Sequence, residues 1–502
     1  MDNSAVQRLD SDLTIEPWIN AFSYDRNQLK AGIVHLGLGA FHRAHQALYT
    51  CETISAGDES AWGICAANIR SNLKLVEALD QQDNLFSVTE VDAKGKRSVS
   101  VCGALVKCLF ARTDPAPLIQ QMAERQTRIV SLTITEKGYC LDPSSAKLLM
   151  DHPDIQNDIR HPGQPVTAMG FIVQALKIRQ QNNIPAFTVL SCDNIPENGK
   201  RTRSAVLQLA KASDPELSDW IDQNVAFPNT MVDRIVPSVS DRDLSDLAEK
   251  NGFYDSAAVI TESYRQWVIE DHFPMGRPDW DLVDGAQFVD DVRPYETMKL
   301  RMLNGCHSFL AYLGYLGGYQ TIAQVMGHSS YRLAARRLLY EDVMVSLNMP
   351  EGVDLHAYAD QLLSRFSNTC LKHKTSQVAM DGSQKIPQRW LNTVRWHIKQ
   401  KSSFNFLGLG IAAWIQYASG KDLQGKPIEV TDPLSHEFLK IHNRYPDDSD
   451  HYLASMLNLE TVFGEDLIVN AEFKNVISNA YHLLIENGAD SAVSTLAERG
   501  SL

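Results

Sequence analysis

No two of the eight cysteines stand at CxxC spacing. Cys51, Cys65, Cys102, Cys108, Cys140, Cys192, Cys306 and Cys370 are scattered, several inside apolar runs such as WGIC and FTVLSC. This argues for reduced thiols buried as small hydrophobes, against a disulfide framework. Basic residues are also short: 47 Lys and Arg face 61 Asp and Glu, a net charge of -14 with no basic tract. A nucleic-acid partner is therefore not expected. The opening segment MDNSAVQRLDSDLTIEPW carries acids where a signal peptide has its apolar core, so a cytoplasmic protein is expected. Internal repeats and low-complexity linkers are missing too.

What is present is the composition of a globular chain. Its 502 residues are 44% apolar and 22% charged, too apolar for disorder and long enough for a large core. The length allows about three domains, and two large ones fit equally. One stretch, 302–331, has no Asp, Glu, Lys or Arg. Asn304, His307, Ser308, Gln320 and Gln324 interrupt it, with Gly314, Gly317 and Gly318, so it reads as one or two buried helices, not a membrane span.

The chain falls into two halves. Up to about residue 290, short apolar runs (33–36, 62–65, 129–134, 186–190) alternate with helix-like segments such as 71–79 and 168–179. This rhythm predicts a mainly parallel sheet covered by helices, with a β-rich insertion around 86–106. Beyond that point helical periodicity dominates: 331–347, 355–366, 389–400 and 404–419, with Gly420 as a C-terminal cap and Asp432-Pro433 opening the next helix. The expected fold is α/β: a dinucleotide-binding domain over 1–290 and a mostly α-helical domain over 291–502.

Gly37-Leu38-Gly39-Ala40-Phe41-His42 follows the first apolar run. In a nucleotide-binding βαβ unit the first glycine makes the turn and the second admits the pyrophosphate. The third glycine of the fingerprint is replaced by His42, so the turn alone fits both a cofactor site and an ordinary strand-to-helix connection. No acid follows the second strand. Arg70, Ser71 and Asn72 stand there, able to bond a ribose hydroxyl or favour a 2′-phosphate, which leaves NAD and NADP both open. His35, His42 and His45, with Glu52, form a weak metal pattern, and packing or phosphate contacts suit His42 and Arg43 better.

Three polar groups follow apolar runs or border them. Asp193-Asn194 and Thr135-Glu136-Lys137 end predicted strands, where α/β sheets bind ligands, although turns also favour such residues. In 296–307, a helix at about 100° per residue places Lys299, His307 and Asn304 at roughly 0°, 80° and 140°. A desolvated lysine becomes a usable base near neutral pH, and an asparagine amide can stabilise an alkoxide. The same pattern also fits a helix with a snorkelling lysine and a buried histidine.

Taken together, GLGAFHRAHQ, TITEKGYC, SCDNIPENG, FPNTMVDRIVP, QWVIEDHFPMGRPDW and YETMKLRMLNGCHSFLAYLGYLGGY resemble the polyol-specific long-chain dehydrogenases/reductases, the mannitol dehydrogenase family. The resemblance runs from about residue 30 to the last helices. It implies a Rossmann-type domain, a helical domain, catalysis in the cleft between them, no metal, and a nicotinamide cofactor: NAD, with NADP not excluded. It implies Lys299 as acid/base, Asn194 and Asn304 on the reacting oxygen, His307 as substrate-orienting group and Glu296 as proton relay. It further implies Asp233 and Lys385 as substrate contacts. Gly37, Gly39, Ala40, Phe41, Arg70, Asn72 and Glu136 are expected at the cofactor. The expected partners are a sugar acid or polyol, with no nucleic acid and no membrane, in a monomer or small homo-oligomer.

Three departures point within the family to the fructuronate reductase (mannonate oxidoreductase) branch. Mannitol dehydrogenases read TEGGY where this chain has Lys137, carry arginine where it has Gln377, and have an acidic pair where it has Asn72 and Leu73. Lys137 offers a cation to a sugar-acid carboxylate, for which an uncharged polyol has no use. Such a chain binds anions against its overall charge, through local groups such as Lys137, Arg43 and a helix N-terminus.

Overall fold

The computed structural model describes residues 7–57, 59–142, 146–369 and 373–499. Cys370 lies outside them; the other seven cysteines are free thiols, all buried except the half-buried Cys108. The chain divides into two compact units, Met1–Asp92 with Lys96–Arg293, and Ala93–Gly95 with Pro294–Leu502.

Among the described residues, the first unit is built on eleven strands: β1 (Ala31–Leu36), β2 (Gly63–Asn68), β3 (Phe86–Val91), β4 (Arg97–Cys102), β5 (Leu105–Phe110), β6 (Ile129–Leu132), β7 (Thr188–Ser191), β8 (Thr230–Asp233), β9 (Val259–Glu262), β10 (Gln266–Glu270) and β11 (Ala286–Val289). Five of them make one parallel sheet in the order β5-β2-β1-β6-β7. Its strands read as unbroken apolar runs because both faces are covered. Val34, Leu36, Cys65, Ala67, Val130 and Leu132 enter one core cluster. The alternate residues Ile33, Ile64, Ala66, Ile129 and Leu190 enter the other. This is a Rossmann-type sheet, as expected.

The β-rich insertion around 86–106 is only partly an insertion. β3 and β4 form an antiparallel hairpin, and β9 adds to it in parallel. β5, however, leaves the hairpin and becomes the edge of the main sheet beside β2. A separate three-stranded sheet runs β11-β10-β8.

The second unit is helical. Leu355–Phe366 forms where its periodicity puts it, opened by the Asp354 side chain on the Ala357 N–H. Gly420, with φ 76°, ends the helix Asn405–Ala418. Two other expectations change. Within 331–347 and 389–400 the chain switches to π-turns, Leu338–Val343 and Pro387–Leu391. Asp432 does not cap the following helix, which runs Ser435–Arg444 with Leu434 at its N-cap. Its carboxylate accepts from the Leu434 N–H at 2.9 Å, just ahead of that helix, and also from the Ser383 N–H at 2.8 Å and the Ser383 hydroxyl at 2.5 Å, in the first turn of Gly382–Ile386. The carboxylate thus joins the start of its own helix to one 49 residues away in sequence, and no local signal reveals the second partner. Among the described residues, no helix is long and apolar enough to cross a membrane.

Candidate functional site

In the parallel sheet the strand order reverses between β1 and β6, and open sheets of this kind bind ligands beyond the carboxyl ends of the strands at that point. Gly37 and Gly39 stand there. Gly37 has φ 106°, and a Cβ on it would lie 2.1 Å from the Thr133 carbonyl oxygen, so glycine is what lets β1 and β6 stay paired at their ends. A Cβ on Gly39 would find only the Gly37 carbonyl, at 3.7 Å. The space over Gly39 is open, and Gly39 precedes the short helix Ala40–Ala44 with no side chain bonded to its backbone donors. The half-buried Ala40 and Phe41 begin that helix. This cradle fits the backbone of a dinucleotide.

Beneath the turn lies a buried polar network. His35 Nδ1 is 2.7 Å from Ser131 Oγ, and its Nε2 is 2.8 Å from Thr133 Oγ1. Ser131 donates to Gln46 Oε1 at 2.6 Å, and the Thr133 hydroxyl donates to the Gly37 carbonyl at 2.8 Å. Burial pushes the His35 imidazole down to about 3, so it is neutral at working pH. His42, in place of the third glycine, stacks on His35 with ring centroids 3.4 Å apart. Both His42 nitrogens are buried without a hydrogen-bond partner, and burial, then the neighbouring His35, Arg43 and His45, holds its pKa well below the usual value.

Of the two uses expected for Arg43, packing or a phosphate contact, the structure fits packing. Arg43 is 6% exposed and donates from Nε to the Gly39 carbonyl (3.2 Å) and from Nη1 to the Ala257 carbonyl (2.6 Å). Among the described residues, no group of three His, Cys, Asp or Glu side chains is placed to hold a metal ion.

Just past β2, Arg70 is exposed and ion-paired to Asp154 at 2.6 Å. Asn72 is exposed, in the left-handed region (φ 68°), at the start of Leu73–Asp80, with its carbonyl accepting from the Leu75 N–H at 3.2 Å and its side chain making no cap bond to that helix. After β6, the chain enters a 3-10 turn, Glu136–Tyr139, on which Glu136 and Lys137 are exposed. Neither is in an ion pair among the described residues, so they do not neutralise each other. After β7 comes Asp193, 8% exposed, and then the exposed Asn194. The Asp193 carboxylate accepts from the N–H groups of Ile134 (3.0 Å) and Thr135 (2.9 Å) and from the Tyr139 hydroxyl (2.7 Å). One buried carboxylate therefore ties the Lys137 turn to the residue beside Asn194. Asp233 closes β8, 3% exposed, opposite Gln266.

In the second unit, Glu296 lies in the helix Arg293–Met298, three residues before Lys299. The stretch Lys299–Asn304 is a π-turn followed by the α-helix Gly305–Leu316. The Gly305 N–H bonds back to the Leu300 carbonyl, five residues earlier. The angles expected for a uniform α-helix therefore need correction. In a turn that closes from i to i+5, residues five apart come to one side, so Asn304 swings back towards the Lys299 face. His307, three residues further in regular helix, is an ordinary same-face neighbour of Asn304. Lys299 is 7% exposed.

His307 Nε2 is buried with no hydrogen-bond partner. Its ring stacks against Phe366 (centroids 5.2 Å) and His373 (5.4 Å). Burial, then the charges of His373, Arg389, Arg365 and Lys385, holds its pKa well below the usual histidine value. Lys385 donates from Nζ to the Met380 carbonyl at 2.5 Å, and burial followed by Arg389 lowers its pKa. The turn is braced from the other π-segment. Arg389 Nη1 donates to the Asn304 carbonyl (3.1 Å) and the Ser308 hydroxyl (2.7 Å), and Trp390 Nε1 to the Gly305 carbonyl (3.0 Å).

Residues 31–282 match the mannitol dehydrogenase Rossmann domain, and residues 291–485 match the mannitol dehydrogenase C-terminal domain. The chain belongs to the mannitol dehydrogenase family. It is thereby an oxidoreductase. It is 49% identical to the D-mannonate oxidoreductase of Escherichia coli (strain K12), over 94% of this chain and 97% of that protein. Among solved structures it is similar to the Pseudomonas fluorescens mannitol 2-dehydrogenase in ternary complex with NAD and D-mannitol (36% identity, TM-score 0.83, covering 98% of this chain and 100% of the other). It is also similar to a substrate-free D-sorbitol dehydrogenase (33% identity, TM-score 0.91, covering 97% and 100%).

For this mannitol dehydrogenase family member, the sequence motifs do not reveal what the supporting residues bond. Asp193 stands in plain view beside Asn194, yet only the fold shows that its partners come from the turn after β6. His35 reads as a strand residue, and Arg389 lies 85 residues from the carbonyl it binds.

Proposed function

We propose that the protein interconverts D-fructuronate and D-mannonate with NAD, using Lys299 as acid/base. A bound nicotinamide dinucleotide supplies or accepts the hydride. In the reductive direction, Asn194 and Asn304 donate amide hydrogen bonds to the oxygen that becomes an alkoxide, and Lys299 gives it a proton from Nζ. In the oxidative direction the neutral amine takes the hydroxyl proton back. Lys299 is buried, 7% exposed, on the same π-turn as Asn304. Neutral His307 offers a ring nitrogen to a substrate hydroxyl, and Glu296 relays the proton. Asp233 and Lys385 contact the rest of the chain-form sugar. Gly37, Gly39, Ala40, Phe41, Asn72 and Glu136 receive the dinucleotide. The free thiols suit a reducing, cytoplasmic setting.

The observation that carries the choice of a sugar acid is the tether through Asp193. It keeps an exposed lysine, Lys137, which has no ion pair among the described residues, on the turn next to Asn194, where a substrate carboxylate can be met. The 49% identity to a D-mannonate oxidoreductase supports the same reading. The second reading, a mannitol 2-dehydrogenase, is favoured by the likeness to the P. fluorescens enzyme.

A kinetic panel separates them: fructuronate and fructose as oxidised substrates, mannonate, mannitol, altronate and arabinitol as reduced ones, each with NAD and NADP. Fructuronate should be preferred, and Lys137→Gly should raise KM for the acid while leaving fructose unaffected. Preference for fructose by the unaltered protein would sink the carboxylate argument. Lys299→Ala should abolish turnover while retaining dinucleotide binding. Loss of one amide donor, as in Asn304→Ala, should cost roughly 3 kcal/mol in the transition state.

A further inference from the structure

The chain has no acid in the segment after β2, where Rossmann-type sites commonly hold the ribose hydroxyls, and instead has an arginine. An arginine at that place is the feature that accommodates a 2′-phosphate. Arg70 is nevertheless engaged. Its Nη2 lies 2.6 Å from Asp154 Oδ2, with the two side chains 52% and 32% exposed. Asp154 comes from the first turn of a helix, Pro153–Arg160, far away in sequence. The Arg70 backbone carbonyl is held as well, by Arg112 Nη1 at 3.0 Å, from the loop after β5. β5 and β2 are neighbours in the sheet, so Arg70, Arg112 and the glycine turn after β1 line one edge of it, beyond the strand ends. The Gly37 N–H bonds the Ala67 carbonyl at 2.8 Å, and Asn68 Nδ2 bonds the Leu38 carbonyl at 3.2 Å, which fixes the β2 exit against that turn.

We propose that Asp154 is a specificity-determining residue for the dinucleotide, neutralising Arg70 so that the site accepts a ribose 2′-hydroxyl and rejects a 2′-phosphate. This rests on the reading of the first unit as a dinucleotide site. A phosphate approaching Arg70 must displace a carboxylate from the guanidinium and then stand beside it, like charge against like charge. A hydroxyl does neither. The missing acid of the fingerprint is thus supplied from a distant helix, through an arginine that would otherwise read as a phosphate-binding residue. Because the pair is half-exposed, its own contribution to folding is small. Its removal should therefore act on ligand choice and leave the fold in place.

The test is direct binding, by nicotinamide fluorescence, of NADH and NADPH to the full chain and to Asp154→Asn, Arg70→Ala and the double variant. The ratio of the NADPH to the NADH dissociation constant should fall at least fivefold in Asp154→Asn. That gain should vanish when Arg70→Ala is added, because the phosphate then has no guanidinium to take. An unchanged ratio in Asp154→Asn, or a gain that survives without Arg70, would overturn the proposal while leaving the dinucleotide reading intact. Binding of neither dinucleotide by the unaltered protein would instead overturn that reading, and this inference with it.

Discussion

The Asp193 carboxylate holds the backbone N–H of Thr135 at 2.9 Å, and Thr135 sits at φ 65°, ψ 162°, a conformation costly for a side chain branched at Cβ. Cys140, at the end of the same turn, is also left-handed (φ 53°). The turn that presents Glu136 and Lys137 is therefore strained at both ends and anchored by one acid. Asp193→Asn keeps the size but offers an amide N–H₂ to two backbone donors. One of them loses its acceptor, a loss of about 1–3 kcal/mol. The expected result is a lowered Tm together with a fall in kcat/KM for fructuronate. A variant with unchanged Tm and kinetics would show that the anchor is idle.

The buried histidines set the acid limit. His35, His42, His307 and His373 all have pKa values depressed chiefly by burial. A histidine depressed in the folded state gives stability above its unfolded value of about 6.5, and that stability is lost as the pH falls below it, because only the unfolded chain takes up the proton. Each such group contributes up to about 1.4 kcal/mol per pH unit below that point. Thermal unfolding should accordingly show Tm falling between pH 7 and pH 5. His42→Phe keeps the ring stack, removes a ring with no hydrogen-bond partner, and should make the fall shallower. A slope identical to that of the unaltered protein would count against the burial argument.

The brace at Arg389 gives a different expectation. Its guanidinium bonds the Asn304 carbonyl and the Ser308 hydroxyl across the π-turn, and burial pushes its pKa down to about 10. Arg389→Met fills similar space and removes both bonds. The turn that sets the angle of Asn304 relative to Lys299 then loses its hold. We expect kcat to fall about tenfold or more, NADH affinity to stay within twofold, and Arg389→Lys to recover part of the loss through its single ammonium. Equal losses in kcat and NADH affinity would point to general unfolding of the second unit instead.

The legible and the illegible parts of this chain divide along a physical line. β1, β6 and β7 were readable as apolar runs because both sheet faces are buried, and Leu355–Phe366 because its cap and periodicity are local. The glycine turn was readable because Gly37 must be glycine. The π-turn at Lys299–Asn304 was not, since an i+5 closure uses the same residues as an i+4 closure and its support, Arg389 and Trp390, comes from far along the chain. The use of Arg43, packing or phosphate, is open in the sequence for the same reason. Beside a phosphate-binding turn a cation suggests phosphate, and only the position of the Ala257 carbonyl shows where its donors go. The occupation of Arg70 by Asp154 is likewise a fact of the fold.

The two glycines of the cradle should fail in opposite ways. A Cβ at Gly37 meets a carbonyl oxygen at 2.1 Å, in a φ of 106° that other residues rarely adopt. Gly37→Ala must therefore part β1 from β6, and a strong destabilisation, of about 2 kcal/mol or more, is expected before any question of ligand arises. Gly39 is at φ -118°, ψ -176°, which any residue adopts, and a Cβ there has no neighbour nearer than 3.7 Å. Gly39→Ala should fold with an unchanged Tm. What it should lose is the dinucleotide, because the methyl stands where the pyrophosphate approaches the backbone. Thermal unfolding and NADH titration on both variants read the two effects separately. If Gly39→Ala bound NADH as tightly as the unaltered protein, the open space over Gly39 would not be where the cofactor lies, and the cradle would be only a strand-to-helix turn.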